Sequence, residues 1–69
     1  MNEEVKLPEH IVKLLLELPE SGMGYQIVDL IFSNGEVIKH ITILNSSIAI
    51  LDSSKKVIVD NIVNVRLSQ

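Results

Sequence analysis

The chain has no cysteine and no tryptophan, and it holds only one tyrosine and one phenylalanine. Without cysteine it has no disulfide, no thiolate nucleophile and no zinc site with sulfur ligands. So few aromatic rings also leave little surface for stacking on nucleic-acid bases. Neither His10 nor His40 has a second histidine three or four residues later, so a helical metal pair is absent and we expect no metal site and no cofactor.

Basic residues are also scarce. Six Lys and Arg stand against nine Asp and Glu, which gives a net charge of −3. Binding along a phosphate backbone needs clustered cations, and here only Lys55 and Lys56 are adjacent. Nucleic-acid binding is therefore unlikely on charge alone, and as an alternative it requires a basic stripe formed by Lys39, Lys55, Lys56 and Arg66.

No apolar run is long enough to span a membrane. The longest uncharged run, 41–51, is interrupted by the polar residues 45–47 and falls short of the roughly 20 residues needed. The first four residues include two glutamates and no basic residue, and no apolar segment follows them before Pro8, which is unlike a secretory signal. We expect a cytoplasmic protein with no membrane partner.

What the chain does contain is a large apolar share for its size. Apolar residues make up 46% of 69 residues, and the mean hydropathy is +0.33. A chain this short forms a single domain, 1–69, and buries only about 60% of the surface that its unfolded form exposes. We therefore expect a homo-oligomer, in which a second copy buries the surplus apolar surface.

The first third of the chain predicts one amphipathic helix. Residues 1–6 are polar and are expected to form a frayed tail. The segment 8–18 begins with a proline suited to a first helical turn and ends before Pro19. Its apolar residues recur at helical spacing and form one stripe, Ile11, Leu14, Leu15 and Leu18.

The rest of the chain predicts β-structure. Five segments rich in Ile and Val, separated by turn residues, are expected to be strands: 26–32, 37–44, 48–51, 57–59 and 63–67. We predict an α+β fold in which the N-terminal helix precedes a five-stranded antiparallel SH3-like small barrel over 25–67. The alternative is an open sheet with the helix packed across one face.

The dipeptide Asn34-Gly35 predicts a two-residue hairpin turn that fixes the pairing of the first two strands. In that register Asp29 faces His40. The register also places Val37 and Lys39 on the core side, and it places Ile38 on a mixed side that is too apolar to be left in water. Either the helix or a second subunit is expected to cover that mixed side.

The junction between helix and sheet is the most distinctive segment, and it supplies six candidate ligand or interaction residues: Ser21, Gly22, Met23, Gly24, Tyr25 and Gln26. A phosphate-binding loop is disfavoured, because the glycines follow a helix and no Lys-Ser or Lys-Thr pair completes the motif. Two interpretations stay open. The segment lines a small recognition pocket, or it is a structural hinge with Met23 closing the end of the barrel.

Asp29 and His40 are further candidates, as an orienting carboxylate and a general base with Ser21 as a distant nucleophile. An ordinary cross-strand charge pair explains the same residues more simply, since nothing in the sequence sets a nucleophile beside His40. We therefore predict no catalytic residue and no enzyme.

The run 18–29, with the sequence LPESGMGYQIVD and the Asn34-Gly35 hairpin after it, resembles a group of short uncharacterised bacterial proteins. The resemblance extends over 8–44 and implies no activity, cofactor or partner. Sm-like RNA-binding proteins share the small-barrel design, but their Asp and Asn signature and their basic C-terminal motif are missing here. We expect a self-associating, non-enzymatic interaction module, with a Sm-like nucleic-acid binder or a small enzyme or ligand-binding protein as the alternatives.

Overall fold

The computed structural model describes residues 2–52 and 57–68. In these residues the elements follow in the order β1 (Asn2–Lys6), α1 (Glu9–Leu16), β2 (Tyr25–Phe32), β3 (Val37–Leu44), β4 (Ile48–Asp52), the 3₁₀ turn η1 (Val59–Asn61) and β5 (Ile62–Leu67). The strands form one antiparallel sheet in the order β1-β4-β3-β2-β5. The α+β class, the helix near the N-terminus and the antiparallel strands confirm the prediction.

The sheet is open, so the predicted SH3-like barrel is wrong. A barrel closes when its first and last strands pair, but β1 and β5 lie at opposite edges of this sheet. The strand predicted at 57–59 is also missing, because 57–58 belong to no strand and η1 begins at Val59. The turn expected between the segments 48–51 and 57–59 lies partly outside the described residues.

The tail predicted at 1–6 is instead strand β1. It pairs along the whole of β4, with Val5 opposite Ala49 and Lys6 opposite Ile48. The pairing continues past the strand end, where the backbone N–H of Leu7 donates to the Ser47 carbonyl at 2.8 Å. Because β4 would otherwise leave a row of backbone groups unpaired, the polar N-terminus adds a strand there.

Helix α1 is shorter than the predicted 8–18. Pro8 stands at its N-cap, and the helix ends at Leu16, three residues before Pro19. The predicted stripe is confirmed, since Ile11 and Leu15 are fully buried and the other two stripe residues pack against the core. Leu16, however, is exposed.

The helix covers one face of the sheet, which we call the inner face. Its side chains join a single core cluster with residues from all five strands or their flanks: Leu7, Ile11, Leu15, Val28, Leu30, Phe32, Ile43, Ala49, Leu51, Ile62 and Val65, with Val5 packed against it. The opposite side, the outer face, carries Ile27, Asp29 and Ile31 of β2 because side chains alternate along a strand. Within the described residues, no helical segment has the length and apolar character to cross a membrane.

The β2–β3 hairpin has a three-residue turn, 33–35, where two residues were predicted. The Phe32 N–H donates to the Glu36 carbonyl, and Gly35 takes a positive φ of 90°. The predicted register holds from Tyr25 opposite Leu44 to Val28 opposite Ile41 and then shifts by one residue. The shift is a β-bulge that leaves Asp29 opposite two residues of β3.

Between the bulge and the turn, each residue of β3 faces the side of the sheet opposite to the predicted one. Leu30 pairs with Ile38, which therefore packs against the core, whereas Val37 and Lys39 are exposed. The sequence-based assignment of these three β3 residues was wrong. A one-residue change of register moves each side chain to the other side of the sheet.

Candidate functional site

The junction 20–26 is a rigid turn held by its own side chains. The backbone N–H of Ile27 donates to the Ser21 hydroxyl at 2.9 Å, and the N–H of Gly24 donates to the Glu20 carboxylate at 3.0 Å. The N–H of Gly22 donates to the Tyr25 carbonyl at 3.3 Å. These amides are therefore not available to cradle a phosphate, in agreement with the sequence-based argument.

The two glycines of this turn have different roles. Gly24 has a φ of 81°, which a side chain would strain. A Cβ at Gly22 would overlap the Tyr25 ring, coming within 2.6 Å of its hydroxyl oxygen. The Tyr25 ring thus packs directly against Gly22, where there is room for it only because Gly22 has no side chain.

The candidates of the junction differ widely in exposure. Met23, at the tip of the turn, is 99% exposed, so it does not close the end of the sheet. Gln26 is only 1% exposed, and its side-chain amide donates to the carbonyls of Leu15 at 2.9 Å and Leu18 at 3.1 Å. Gln26 is therefore a structural tie between helix and sheet.

Asp29 and His40 do come together, in a pocket of about 410 Å³ on the outer face. The pocket is lined by Asp29, Lys39, His40, Arg66, Leu67 and Ser68. Strands β2 and β5 bring Asp29 opposite Arg66, and the β3 bulge adds the two residues before Ile41. We call this group the Asp29 pocket.

The bulge shapes the contact between Asp29 and His40. His40 has a φ of 59°, in the left-handed region that non-glycine residues seldom adopt. Its backbone N–H donates to Oδ1 of Asp29 at 3.3 Å. The expected side-chain charge pair is thus replaced by a contact between the carboxylate and the backbone, which satisfies the amide of the strained residue.

The Asp29 carboxyl is nearly buried, with 7% of its side chain exposed, and it pairs with the half-exposed Arg66. The Arg66 Nε donates to Oδ2 at 3.1 Å. Burial acts to raise the pKa of Asp29, but hydrogen bonds from Arg66, the His40 amide and Ser68, with the Arg66 charge, outweigh it. The pKa of this carboxyl therefore lies below its ordinary value of 3.8, and Asp29 is a fixed negative charge at neutral pH.

Ser68 is a site residue that the sequence reasoning missed. Its hydroxyl lies 2.8 Å from Nδ1 of His40. A serine, a histidine and an aspartate meet here, but the Asp29 carboxylate accepts from the His40 backbone amide, Arg66 and Ser68, and no hydrogen bond joins it to the imidazole in the described residues. The orienting step of a catalytic triad is therefore missing, and Ser21 contributes nothing to this pocket.

The basic stripe predicted for a nucleic-acid binder is only partly described. Lys39 and Arg66 line the same pocket, while Lys55 and Lys56 lie outside the described residues. A signal for Arg66 was present in the sequence. Asp29 stands alone among apolar residues of its strand, and such an aspartate needs a cation from a neighbouring strand. In the part of the chain that the structure describes, no cluster of three potential metal ligands occurs.

The comparisons with known proteins give no relative: no protein-family model, no curated protein and no solved structure matches this chain. The resemblance of 18–29 to a bacterial group stays a prediction. What the chain does must therefore be argued from its own surfaces.

Proposed function

We propose that the chain is a small, non-enzymatic interaction module that self-associates through its outer face. The observation that carries the proposal is a set of apolar side chains on that face, which α1 does not cover. We call it the apolar patch, and it consists of Tyr25, Ile27, Leu44, Ile48 and Ile50.

The strand register makes the patch continuous. Tyr25 lies opposite Leu44, which lies opposite Ile48, and the next row runs from Ile27 through Thr42 to Ile50. Residues directly opposite each other in antiparallel strands share a side of the sheet. Tyr25 is exposed and the other four are half-buried. The patch is therefore a contiguous, solvent-accessible apolar surface, and such a surface favours association.

The edge strands are not suited to pairing with a second copy, so association through the outer face is favoured. On β5, the N–H of Val65 donates to the side chain of Asn64 at 2.9 Å and is not free to pair with another strand. On β1, the edge carries Glu4 and Lys6, and charged side chains discourage strand addition.

The margin of the patch suits a second copy of the same chain. Glu4 lies opposite Ile50 and Lys6 lies opposite Ile48, so charges of both signs border the apolar rows. A two-fold axis brings Lys6 of one copy towards Glu4 of the other and the reverse. A standard interface needs about 800 Å² from each partner, roughly a sixth of the 4673 Å² surface of this chain.

Sedimentation equilibrium tests the proposal. We expect wild type to be a dimer at high micromolar concentration and Ile48→Lys to be a monomer, because a charge within the patch must be desolvated on association. Ile58→Lys is the matched control, since Ile58 is 65% exposed and lies outside the patch. Circular dichroism checks that both variants keep the fold.

Two results would overturn the proposal. One is a monomeric wild type at high micromolar concentration. The other is a dimer that Ile58→Lys dissociates as readily as Ile48→Lys, because the interface would then lie elsewhere.

A further inference from the structure

We infer that the Asp29 pocket binds a small anionic molecule through its carboxylate or phosphate group. None of the pocket residues belongs to the apolar patch, so this inference stands apart from self-association. It rests on the charge of the pocket, on the hydrogen-bond donors left free in it and on its size.

The pocket is basic although the chain is acidic. Lys39 and Arg66 supply two positive charges and Asp29 one negative charge, whereas the whole chain has a net charge of −3. A local excess of positive charge inside a concave site concentrates anions there. The formal charge of the pocket therefore selects an anionic ligand.

Asp29 holds Arg66 in place without using all of its donors. The carboxylate receives only Nε, and 57% of the Arg66 side chain remains exposed. In the described residues neither the terminal nitrogens of Arg66 nor Nζ of Lys39 has a partner. A guanidinium fixed through Nε presents its remaining N–H groups in a plane, which matches two oxygens of a carboxylate or phosphate.

Two further polar groups complete the lining. The Ser68 hydroxyl and the His40 ring bond to each other at 2.8 Å and stand beside the cations. The strained His40 backbone, tied to buried Asp29, keeps this arrangement fixed before a ligand arrives. A prearranged site saves the ligand the cost of ordering these groups.

Size and overall charge favour a small ligand over a nucleic acid. The volume of about 410 Å³ lies near the lower end of the range typical of small-molecule pockets, roughly 300–1,000 Å³. A polyanion would also meet the acidic remainder of the chain, which holds all but one of its nine Asp and Glu residues.

Nuclear magnetic resonance titration of the ¹⁵N-labelled full chain tests the inference, with inorganic phosphate, acetate and a single-stranded oligonucleotide as separate probes. We expect phosphate or acetate to shift the Arg66 Nε–H and the amides of His40 and Ser68 with saturation in the millimolar range. Sodium chloride at the same ionic strength is expected to give no saturable shift. Which of the two anions binds more tightly identifies the group that the pocket prefers.

Lys39→Ala is the main variant, because the Lys39 side chain makes no contact that the fold needs in the described residues. We expect it to weaken binding about fivefold, the effect of removing one exposed cation. Lys13→Ala is the matched control: Lys13 is an exposed lysine on the helix, 3.9 Å from Glu9, and its loss should leave the affinity unchanged.

Three results would overturn the inference. The first is that neither small anion produces a saturable shift. The second is that Lys39→Ala and Lys13→Ala weaken binding equally. The third is that the oligonucleotide binds far more tightly than phosphate, with shifts that spread beyond the pocket. The last result would identify a nucleic-acid surface. None of the three depends on whether the chain forms a dimer.

Discussion

Gln26 connects three parts of the fold through one buried side chain. Its amide nitrogen donates to the carbonyls of Leu15 and Leu18 at the end of α1, and its oxygen accepts from the Ser46 hydroxyl at 3.3 Å in the β3–β4 turn. Replacing it with leucine keeps a side chain of similar volume but removes every polar atom. The substitution therefore measures what the polar tie contributes.

The cost can be worked out from the carbonyls left behind. Leu15 keeps one partner, because the N–H of Leu18 donates to its carbonyl at 3.1 Å. The half-buried Leu18 carbonyl loses the donor that Gln26 gave it. The substitution thus removes two hydrogen bonds donated by the Gln26 amide, and each contributes about 0.5–1.5 kcal/mol. We expect Gln26→Leu to lower the free energy of unfolding by about 2 kcal/mol, or the Tm by roughly 10–15 °C.

Urea unfolding followed by circular dichroism measures this change. Ser46→Ala is the comparison, because it removes only the longest of the three hydrogen bonds. It leaves the buried Gln26 oxygen without that donor and should cost about 1 kcal/mol, less than Gln26→Leu. If Gln26→Leu is as stable as wild type, the helix does not depend on this tie and the reasoning fails.

Gln26→Glu adds a second test, in which the direction of the pH dependence of stability is predicted. A carboxylate there cannot donate and faces two carbonyl oxygens, so burial and these dipoles raise its folded pKa above the unfolded value. The protonated form regains one donor. Stability of the variant relative to wild type should therefore be higher at acid pH and be lost as the pH rises through the raised folded pKa.

The remaining predictions concern Asp29 and Gly22. The folded pKa of Asp29 is lowered, so its contribution is fully present above the unfolded value near 3.8 and is lost as the pH falls through the folded pKa. Unfolding free energies measured against pH should thus fall more steeply below about pH 5 for wild type than for Asp29→Asn, and parallel curves would contradict the lowered pKa. Gly22→Ala should displace the Tyr25 ring and alter its near-ultraviolet circular dichroism. The same substitution in a Tyr25→Leu background should cost less stability. Equal costs in the two backgrounds would mean that the ring does not pack on Gly22.

Local patterns were enough to predict the elements that bury a regular apolar face. The helical stripe at Ile11 and Leu15 is real, strand β3 has the predicted bounds, and β2 starts one residue earlier than expected. In these segments the spacing of apolar residues and their burial agree, so periodicity is sufficient.

Strand β1 could not be found in the same way. Of its five residues only Val5 is partly buried, and the others are exposed, so the segment has no apolar alternation. Its conformation comes from the backbone groups of β4, a partner more than forty residues away. Propensity is a weak guide where such tertiary pairing decides.

The candidate site shows a similar division. The predicted hairpin set Asp29 beside His40, and these two residues do lie together, but Arg66 and Ser68 come from the other neighbour of β2. That pairing depends on strand order, which residue spacing within one hairpin does not encode. The contacts of Gln26, one of the six candidate interaction residues, also depend on tertiary structure, since its partners lie at and just beyond the end of the preceding helix.

A hint of the bulge was nevertheless present in the sequence. The two-residue turn placed Lys39 on the core side, where an unpaired ammonium group is costly. Inserting one residue on β3 opposite Asp29 removes that conflict, because Ile38 then faces the core and Lys39 faces water. The same extra residue holds His40 at a positive φ and turns Lys39 and His40 towards Arg66. Keeping a lysine out of the core and building the basic pocket are therefore two consequences of one bulge, which explains why a basic pocket lies on the same face as the apolar patch.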